Sequence, residues 1–281
     1  MTSSGPALPT AEVVARLRAA GCVFAEEEAR LLLAAATSPS HLVGLVDRRV
    51  AGEPLEHLLG WVSFGGLRLA VDPGVFVPRR RTELLARRAA AFARAAAAHR
   101  SDEREVGDPA GGRPVVVDLC CGCGAVGAVV AAAVPETALY AVDIDPVAVR
   151  CARRNLPGAA TVLTGDLYAP LPADLRGRVD VLAANAPYVP TDSLGLLPVE
   201  ARMHEPRTAL DGGVEGLDVL RRVLAEAAYW LAPGGHIAVE SSDRHAPALI
   251  DMATAAGLDA WSEGDAEIAA TIVVGRLSGR A

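Results

Sequence analysis

Three consecutive Val run into an acid and a glycine-studded turn at Val115-Val116-Val117-Asp118-Leu119-Cys120-Cys121-Gly122-Cys123-Gly124, and Ala125-Val126-Gly127 then opens a helix. A short β-branched strand that feeds a helix this way reads as the start of a parallel βα unit, since parallel neighbours need a crossover connection. Glycine lets the backbone come close to a ligand, and the following helix offers unpaired N–H groups. No Lys-Ser/Thr pair follows the turn, so it differs from a phosphate cradle. Asp118 at the strand's end suits a cationic ligand end or a bound water better than a pyrophosphate.

The same rhythm continues to the end of the chain. Short apolar or β-branched runs at Leu139–Val142, Thr161–Leu163, Val179–Ala183 and His236–Val239 alternate with helical stretches at Gly124–Val134, Pro146–Asn155 and Leu217–Leu231. That order predicts an open α/β sheet of mostly parallel strands, with Thr271–Val274 as a late hairpin partner at its far side. Residues 10–60 read as helices that stop at Gly21, before Pro39 and at Gly52. Trp61–Val71, around Gly65-Gly66, reads as a β-hairpin connector. A helix from about Arg81 to Ala98 and an exposed polar loop over His99–Arg113 follow. The expected division is a helical N-terminal domain over 1–60, for recognition or packing, a hairpin linker over 61–75 and an α/β domain over 76–281.

Composition narrows the partners. Lys is absent, and residues 114–281 carry 12 Arg against 21 acids. An acidic α/β region repels phosphate backbones, so a nucleic acid partner is disfavoured. The five Cys are odd in number and three crowd into one loop. No apolar run approaches membrane-spanning length and no leader pattern opens the chain, so a reduced cytoplasmic protein, monomeric or weakly oligomeric, is expected. Without a second Cys or His cluster at ligand spacing, no metal is expected.

Two more acids stand at strand ends. Asp143, in Ala141-Val142-Asp143-Ile144-Asp145-Pro146, lies about twenty residues beyond the turn, where an acid commonly takes a ribose diol. Asp145 is placed to cap the helix that Pro146 begins. Asp166, in Thr164-Gly165-Asp166-Leu167, follows the third strand and is within reach of an adenine amino group. Together they predict a nucleoside pocket contacted by Asp118, Cys120, Gly122, Gly124, Asp143, Ile144, Asp166 and Leu167, with a dinucleotide as the rival ligand.

The fourth strand ends in Asn185-Ala186-Pro187-Tyr188, which resembles the Asn-Pro-Pro-Tyr motif of amino-group methyltransferases. An amide nitrogen is a poor nucleophile because its lone pair is delocalised into the carbonyl. Two acceptors on its hydrogens, the Asn185 side-chain oxygen and the Ala186 carbonyl, would hold it and favour its pyramidal form. Tyr188 would stack on the planar group and stabilise a sulfonium methyl through its ring face. Proximity does most of the remaining work. Ala186 stands where that motif has proline, so the carbonyl survives while the turn loses rigidity.

The resemblance extends over roughly residues 50–280. Gly52-Glu53-Pro54-Leu55-Glu56-His57-Leu58-Leu59-Gly60, Val75-Phe76-Val77-Pro78-Arg79 with Thr82-Glu83, and Glu205-Pro206-Arg207-Thr208-Ala209-Leu210-Asp211-Gly212-Gly213 look like the HemK-type protein-glutamine methyltransferases. Arg79-Arg80-Arg81 departs from that family's Arg-Pro-x pattern, and the N-terminal helical region looks shorter than the family's docking bundle. The resemblance implies a class I SAM-dependent methyltransferase (Rossmann-like) domain with a small helical N-terminal domain and a β-hairpin linker. It implies S-adenosyl-L-methionine as methyl donor, S-adenosyl-L-homocysteine as product, and the glutamine of a Gly-Gly-Gln loop in a peptide-chain release factor as acceptor. It further implies cofactor contacts at Pro78, Thr82 and Asn185, catalytic roles for Asn185, Ala186, Pro187 and Tyr188, and substrate contacts at Asn185, Ala186, Tyr188, Glu205 and Pro206. Two alternatives stay open: an exocyclic base nitrogen or another amide as acceptor, or a silent protein that binds S-adenosyl-L-methionine without turnover.

Overall fold

The central apolar runs become strands buried on both faces, as parallel strands covered by helices must be. In a computed structural model, described over residues 8–102, 112–156, 158 and 160–279, β3 (Val115–Leu119) is buried at every position. Val116 points to one core, while Val115, Val117 and Leu119 point to the other, as the two-residue period of a strand requires. The first core holds Leu85 of α5 (Thr82–Asp102) and Val126 and Val130 of α6 (Ala125–Ala133). The second holds Leu220 and Leu224 of α9 (Asp218–Trp230) and Leu249 of α10 (Ala246–Ala255). Fully burying a Leu of this kind contributes about 1.5–3 kcal/mol.

Around β3 lie β4 (Ala138–Asp143), β5 (Thr161–Thr164), β6 (Val179–Ala184), β7 (Leu231–Ser241), β8 (Leu258–Asp265) and β9 (Ala270–Leu277). The seven-stranded order is β5-β4-β3-β6-β7-β9-β8. Its first five strands are parallel, and β9 runs antiparallel to both β7 and β8. The chain moves outward from β3 to β4 and β5, then returns to the other side at β6. That reversal opens a crevice at the carboxyl ends of β3 and β6, where ligands of open α/β sheets bind.

Several expectations need correction. The late strand is not at the far side; β9 is inserted between β7 and an outer strand, β8, that the pattern did not reveal. Only Leu258 of β8 is fully buried, so its polar Asp259-Ala260-Trp261-Ser262-Glu263 stretch reads as loop. β7 starts five residues earlier than expected and carries Pro233-Gly234-Gly235 through a register shift against β6. Helix α5 continues through Asp102, so His99–Asp102 are helical, and residues 103–111 of the expected loop lie outside the described residues.

The N-terminal helices are α1 (Thr10–Ala19), α2 (Ala25–Ala35), α3 (Pro39–Val50) and a short α4 (Leu55–Leu59), the last unread in the sequence because five residues carry no periodicity. Helix α3 begins three residues before the apolar pattern does. Ser38 Oγ accepts from the His41 N–H, and Pro39 fits the first turn. Leu17, Leu32, Leu45 and Val46 form the core of this module. The hairpin β1 (Trp61–Phe64) and β2 (Leu67–Ala70) follows as expected. Asn155, at the end of α7 (Pro146–Asn155), pins it by exchanging 2.8 Å hydrogen bonds with Ala70 and donating at 2.8 Å to the Cys123 carbonyl.

A buried ion cluster joins the module to the wall of the crevice. Arg49 donates to both Glu28 oxygens and, at 2.5 Å, to Glu200 on α8 (Val199–His204). Replacing Arg49 with an uncharged residue would leave the buried Glu28 carboxylate alone, which costs about 3–5 kcal/mol. Among the described residues no helix is long and apolar enough to cross a membrane.

Candidate active site

Acids stand at or just past the carboxyl ends of β3, β4 and β5, at Asp118, Asp143 and Asp166, while β6 is followed by Asn185. Asp118 is 1% exposed, and its Oδ2 accepts from the Gly127 N–H at 2.9 Å. Asp143 accepts from the Gly122 N–H at 2.8 Å and from the Asp145 N–H at 2.9 Å. The second carboxylate therefore braces the first loop as well as facing the crevice. Asp145 caps α7 through Val147 N–H at 2.8 Å, as its spacing predicted. Burial pushes the Asp118 carboxyl up to about 7, with the neighbouring Asp143 charge adding to the rise and the Gly127 N–H opposing it. Burial also raises Asp143, against the pull of the Asp145 and Gly122 N–H groups.

The turn between them is shaped by backbone sterics. A Cβ on Gly122 would meet nothing within 4 Å, so the space over this backbone is open to a ligand. Gly124 has a different role from the one expected. It does not line the cavity; it takes φ 80° at the start of α6, and a Cβ there would press on Leu156 at 3.1 Å. Burial raises the thiols of Cys120, Cys121 and Cys123, which keeps them protonated and poor as nucleophiles or metal ligands. Among the described residues no cluster of three His, Cys, Asp or Glu is arranged to hold a metal.

At the tip of β6, Asn185 Nδ2 donates to Thr82 Oγ1 at 3.3 Å. That contact uses one of the two amide N–H groups and fixes the amide plane, and no hydrogen bond to Oδ1 is formed among the described residues. Thr82, 2% exposed, thus orients Asn185 as well as lining the cavity. Behind the turn, the Val189 N–H donates to Leu210 O at 3.1 Å and the Gly212 N–H to Val189 O at 2.9 Å. A Cβ on Gly212 would lie 2.7 Å from Pro187 O and 2.8 Å from Tyr188 Cα, so the Asp211-Gly212-Gly213 strap can lie against this turn only with glycine there. The Tyr188 hydroxyl donates to Glu240 Oε1 at 2.9 Å.

One cavity of about 990 Å³ collects these groups, at the upper end of the range for small-molecule sites. Asp118, Cys120, Gly122, Asp143, Ile144, Asp166, Leu167, Pro78, Thr82, Asn185, Ala186, Pro187, Tyr188 and Pro206 all line it. Ile144 is 57% exposed, a large apolar side chain presented to the cavity. Asp166 lines the rim and is paired with Arg222 at 2.7 Å.

Glu205 requires correction. It was expected to contact substrate, yet its side chain is 1% exposed and lies outside the cavity lining. Both of its oxygens take Arg79 Nη2 at 2.7 Å, and Oε1 also takes the Val77 N–H at 3.2 Å. It ties the Val77–Arg79 segment, which includes the cavity-lining Pro78, to the start of the 205–213 strap. Sequence reasoning also missed Glu240, although the signal was the one read elsewhere: an acid directly after the apolar run Ile237-Ala238-Val239.

The Methyltransferase small domain family matches residues 109–213. The release factor glutamine methyltransferase of Moorella thermoacetica is 37% identical, across 88% of this chain and 88% of its own length. That of Geobacter sulfurreducens is 34% identical, across 83% and 77%. That of Mycolicibacterium smegmatis is 37% identical, across 76% and 69%. Among solved structures, a T. thermophilus 16S rRNA methyltransferase in complex with AdoMet and guanosine aligns with TM-score 0.49 at 18% identity, covering 77% of this chain and 49% of that one.

Proposed function

Since the chain belongs to the family of release factor glutamine methyltransferases, we propose that it methylates a glutamine side-chain nitrogen of a peptide-chain release factor, using S-adenosyl-L-methionine. The observation that carries this reading is the placement of Asn185 and the Ala186-Pro187 turn on the same cavity as Asp118 and Asp143. S-adenosyl-L-methionine supplies an electrophilic methyl on a sulfonium sulfur and leaves as S-adenosyl-L-homocysteine. The residues present suit it: a nucleoside-sized hollow, open backbone over Gly122, the apolar Ile144 and two carboxylates for a cationic molecule carrying a ribose diol.

The acceptor glutamine is held by the chain itself. Asn185 Oδ1 and the Ala186 carbonyl accept its two N–H hydrogens, which draws the nitrogen out of conjugation and aims its lone pair. Tyr188 packs against the planar amide. As the nitrogen gains a carbon its proton becomes acidic and passes to water, so no buried base is required. Glycine at both positions before the acceptor, as in a Gly-Gly-Gln loop, would let the backbone reach this depth. We assign transfer to residues 76–281 and release-factor contact to the helical module of residues 1–60, with 61–75 as the linker.

Asp118 makes binding pH-dependent. Its carboxyl, raised to about 7, is half protonated near neutrality in the free protein, and a cationic ligand favours the charged form. Affinity for S-adenosyl-L-methionine should therefore strengthen as pH rises from 6 to 8, with a proton released on binding. Calorimetry in two buffers of different ionisation enthalpy measures that proton, and Asp118→Asn should flatten the profile. Folding runs the other way: the free folded protein keeps a proton that the unfolded chain sheds above its ordinary carboxyl range, so this group's contribution to stability declines between about pH 4 and 7.

The deciding experiment incubates the chain with methyl-labelled S-adenosyl-L-methionine and, separately, a purified release factor, total protein and nucleic acid. Label on a single glutamine of the release factor is expected. Label in nucleic acid, or bound donor with no transfer to any of the three, would overturn the proposal.

A further inference from the structure

Glu240 ends the apolar stretch of β7 and is 2% exposed. A carboxylate taken so far from water loses hydration that only well-placed partners return. Here the partners are incomplete. Tyr188 Oη, at 2.9 Å, and Arg81 Nε, at 3.2 Å, both donate to Oε1, while Oε2 is buried with no hydrogen-bond partner. Arg81 has its side chain 46% exposed, so water screens the ion pair and weakens it. A buried, half-satisfied carboxylate is a poor device for stability, and an apolar side chain of like volume would commonly serve as well. What a carboxylate supplies and an apolar side chain does not is direction.

That direction acts on one ring. The Arg81 guanidinium lies 5.7 Å from the centroid of Tyr188, and Glu240 holds the hydroxyl at the ring's far end. Tyr188 is thus gripped at its hydroxyl and at its ring, from two elements remote in sequence. The local chain needs such a grip. Pro187 locks its own φ and keeps Ala186 out of the helical region, but Ala186 carries no ring, so its φ is held less tightly than a proline's would be. Burial and the Glu240 charge both push the Tyr188 hydroxyl well above its ordinary range, which keeps it a neutral donor.

We propose that Glu240 is a positioning residue for methyl transfer: with Arg81 it fixes the Tyr188 ring beside Asn185, in place of rigidity that the Ala186 turn lacks. The proposal rests on the reading of Asn185 and Tyr188 as the acceptor-amide site.

The test is a double-mutant cycle on the full chain with release factor as acceptor, comparing wild type, Tyr188→Phe, Glu240→Gln and the double variant. A displaced ring should lower kcat by about tenfold to a hundredfold in each single variant, because small misplacements near reacting atoms carry losses of that order. The dissociation constant for S-adenosyl-L-methionine should stay within about twofold, and the double variant should lose no more than the worse single one. Multiplying losses in the double variant, a parallel loss of donor affinity, or unchanged kcat in both single variants would each overturn the proposal. If Glu240→Gln does not fold, as judged by its melting transition, Tyr188→Phe decides alone: unchanged kcat refutes the assignment. The underlying reading fails separately, when wild type places no label on the release factor. Transfer that Asn185→Ala abolishes but Tyr188→Phe leaves intact would sink only the role of Glu240.

Discussion

Asn185→Ala should lower kcat for transfer to the release factor by about two to three orders of magnitude, the loss seen when a preorganised polar group at a reacting centre is removed. The side chain does two jobs through its two ends. One N–H of Nδ2 goes to Thr82 Oγ1, which holds the amide plane, and on the proposed reading Oδ1 accepts from the incoming glutamine. Without that acceptor, the Ala186 carbonyl alone holds the glutamine nitrogen, which relaxes toward its conjugated, planar and unreactive form. On the proposed reading the donor is held at the tips of β3, β4 and β5, so affinity for S-adenosyl-L-methionine should change by less than about threefold, a shift under 1 kcal/mol. Single-turnover kinetics with saturating donor, beside a direct titration of donor binding, separates the two quantities. Loss of donor binding in step with kcat would mean that Asn185 belongs to the donor site and the acceptor assignment is wrong.

The second large effect is on binding. Asp143→Ala should weaken S-adenosyl-L-methionine by roughly a hundredfold or more, since hydrogen bonds to a charged group are worth about 1.5–3 kcal/mol each. The carboxylate has two duties here as well. It presents oxygens to the cavity, and it ties the Gly122 and Asp145 N–H groups together across two loops. Alanine removes both, so the turn after β3 loses its brace along with the diol acceptor. Asp143→Asn keeps one acceptor oxygen and should fall between wild type and alanine. Isothermal titration gives the three constants directly. With donor raised to saturation, kcat in the alanine variant should recover much of its value; a kcat that stays low at saturation would show that Asp143 shapes the transition state rather than the ground-state pocket.

These expectations rest on two kinds of contact, and the sequence revealed them unequally. Val115–Val117, Leu139–Val142 and Val179–Ala183 were legible as strands because a parallel strand covered on both sides needs apolar side chains on both sides. Asp118 and Asp143 were legible as the acids that interrupt the first two of these runs. β8 and α4 were not, because an exposed outer strand and a five-residue helix carry too little apolar periodicity to stand out. The pairing of Glu205 with Arg79 was hidden as well. A motif residue beside Pro206 reads as a ligand until the fold brings a guanidinium, 126 positions away in sequence, against it.

By itself, then, the chain's order of residues determined the layered α/β architecture and the acids at the tips of β3 and β4, which follow from burial within a few positions, while the Asn185–Tyr188 stretch was read through its resemblance to a family motif. Tertiary structure alone decided what each tip residue does. Thr82 meets Asn185 across 103 positions, Tyr188 meets Glu240 across 52, and Arg49 meets Glu200 across 151. Such partners are chosen by which strands become neighbours, and the reversal of strand order at β3 is a property of the whole sheet that no local stretch encodes.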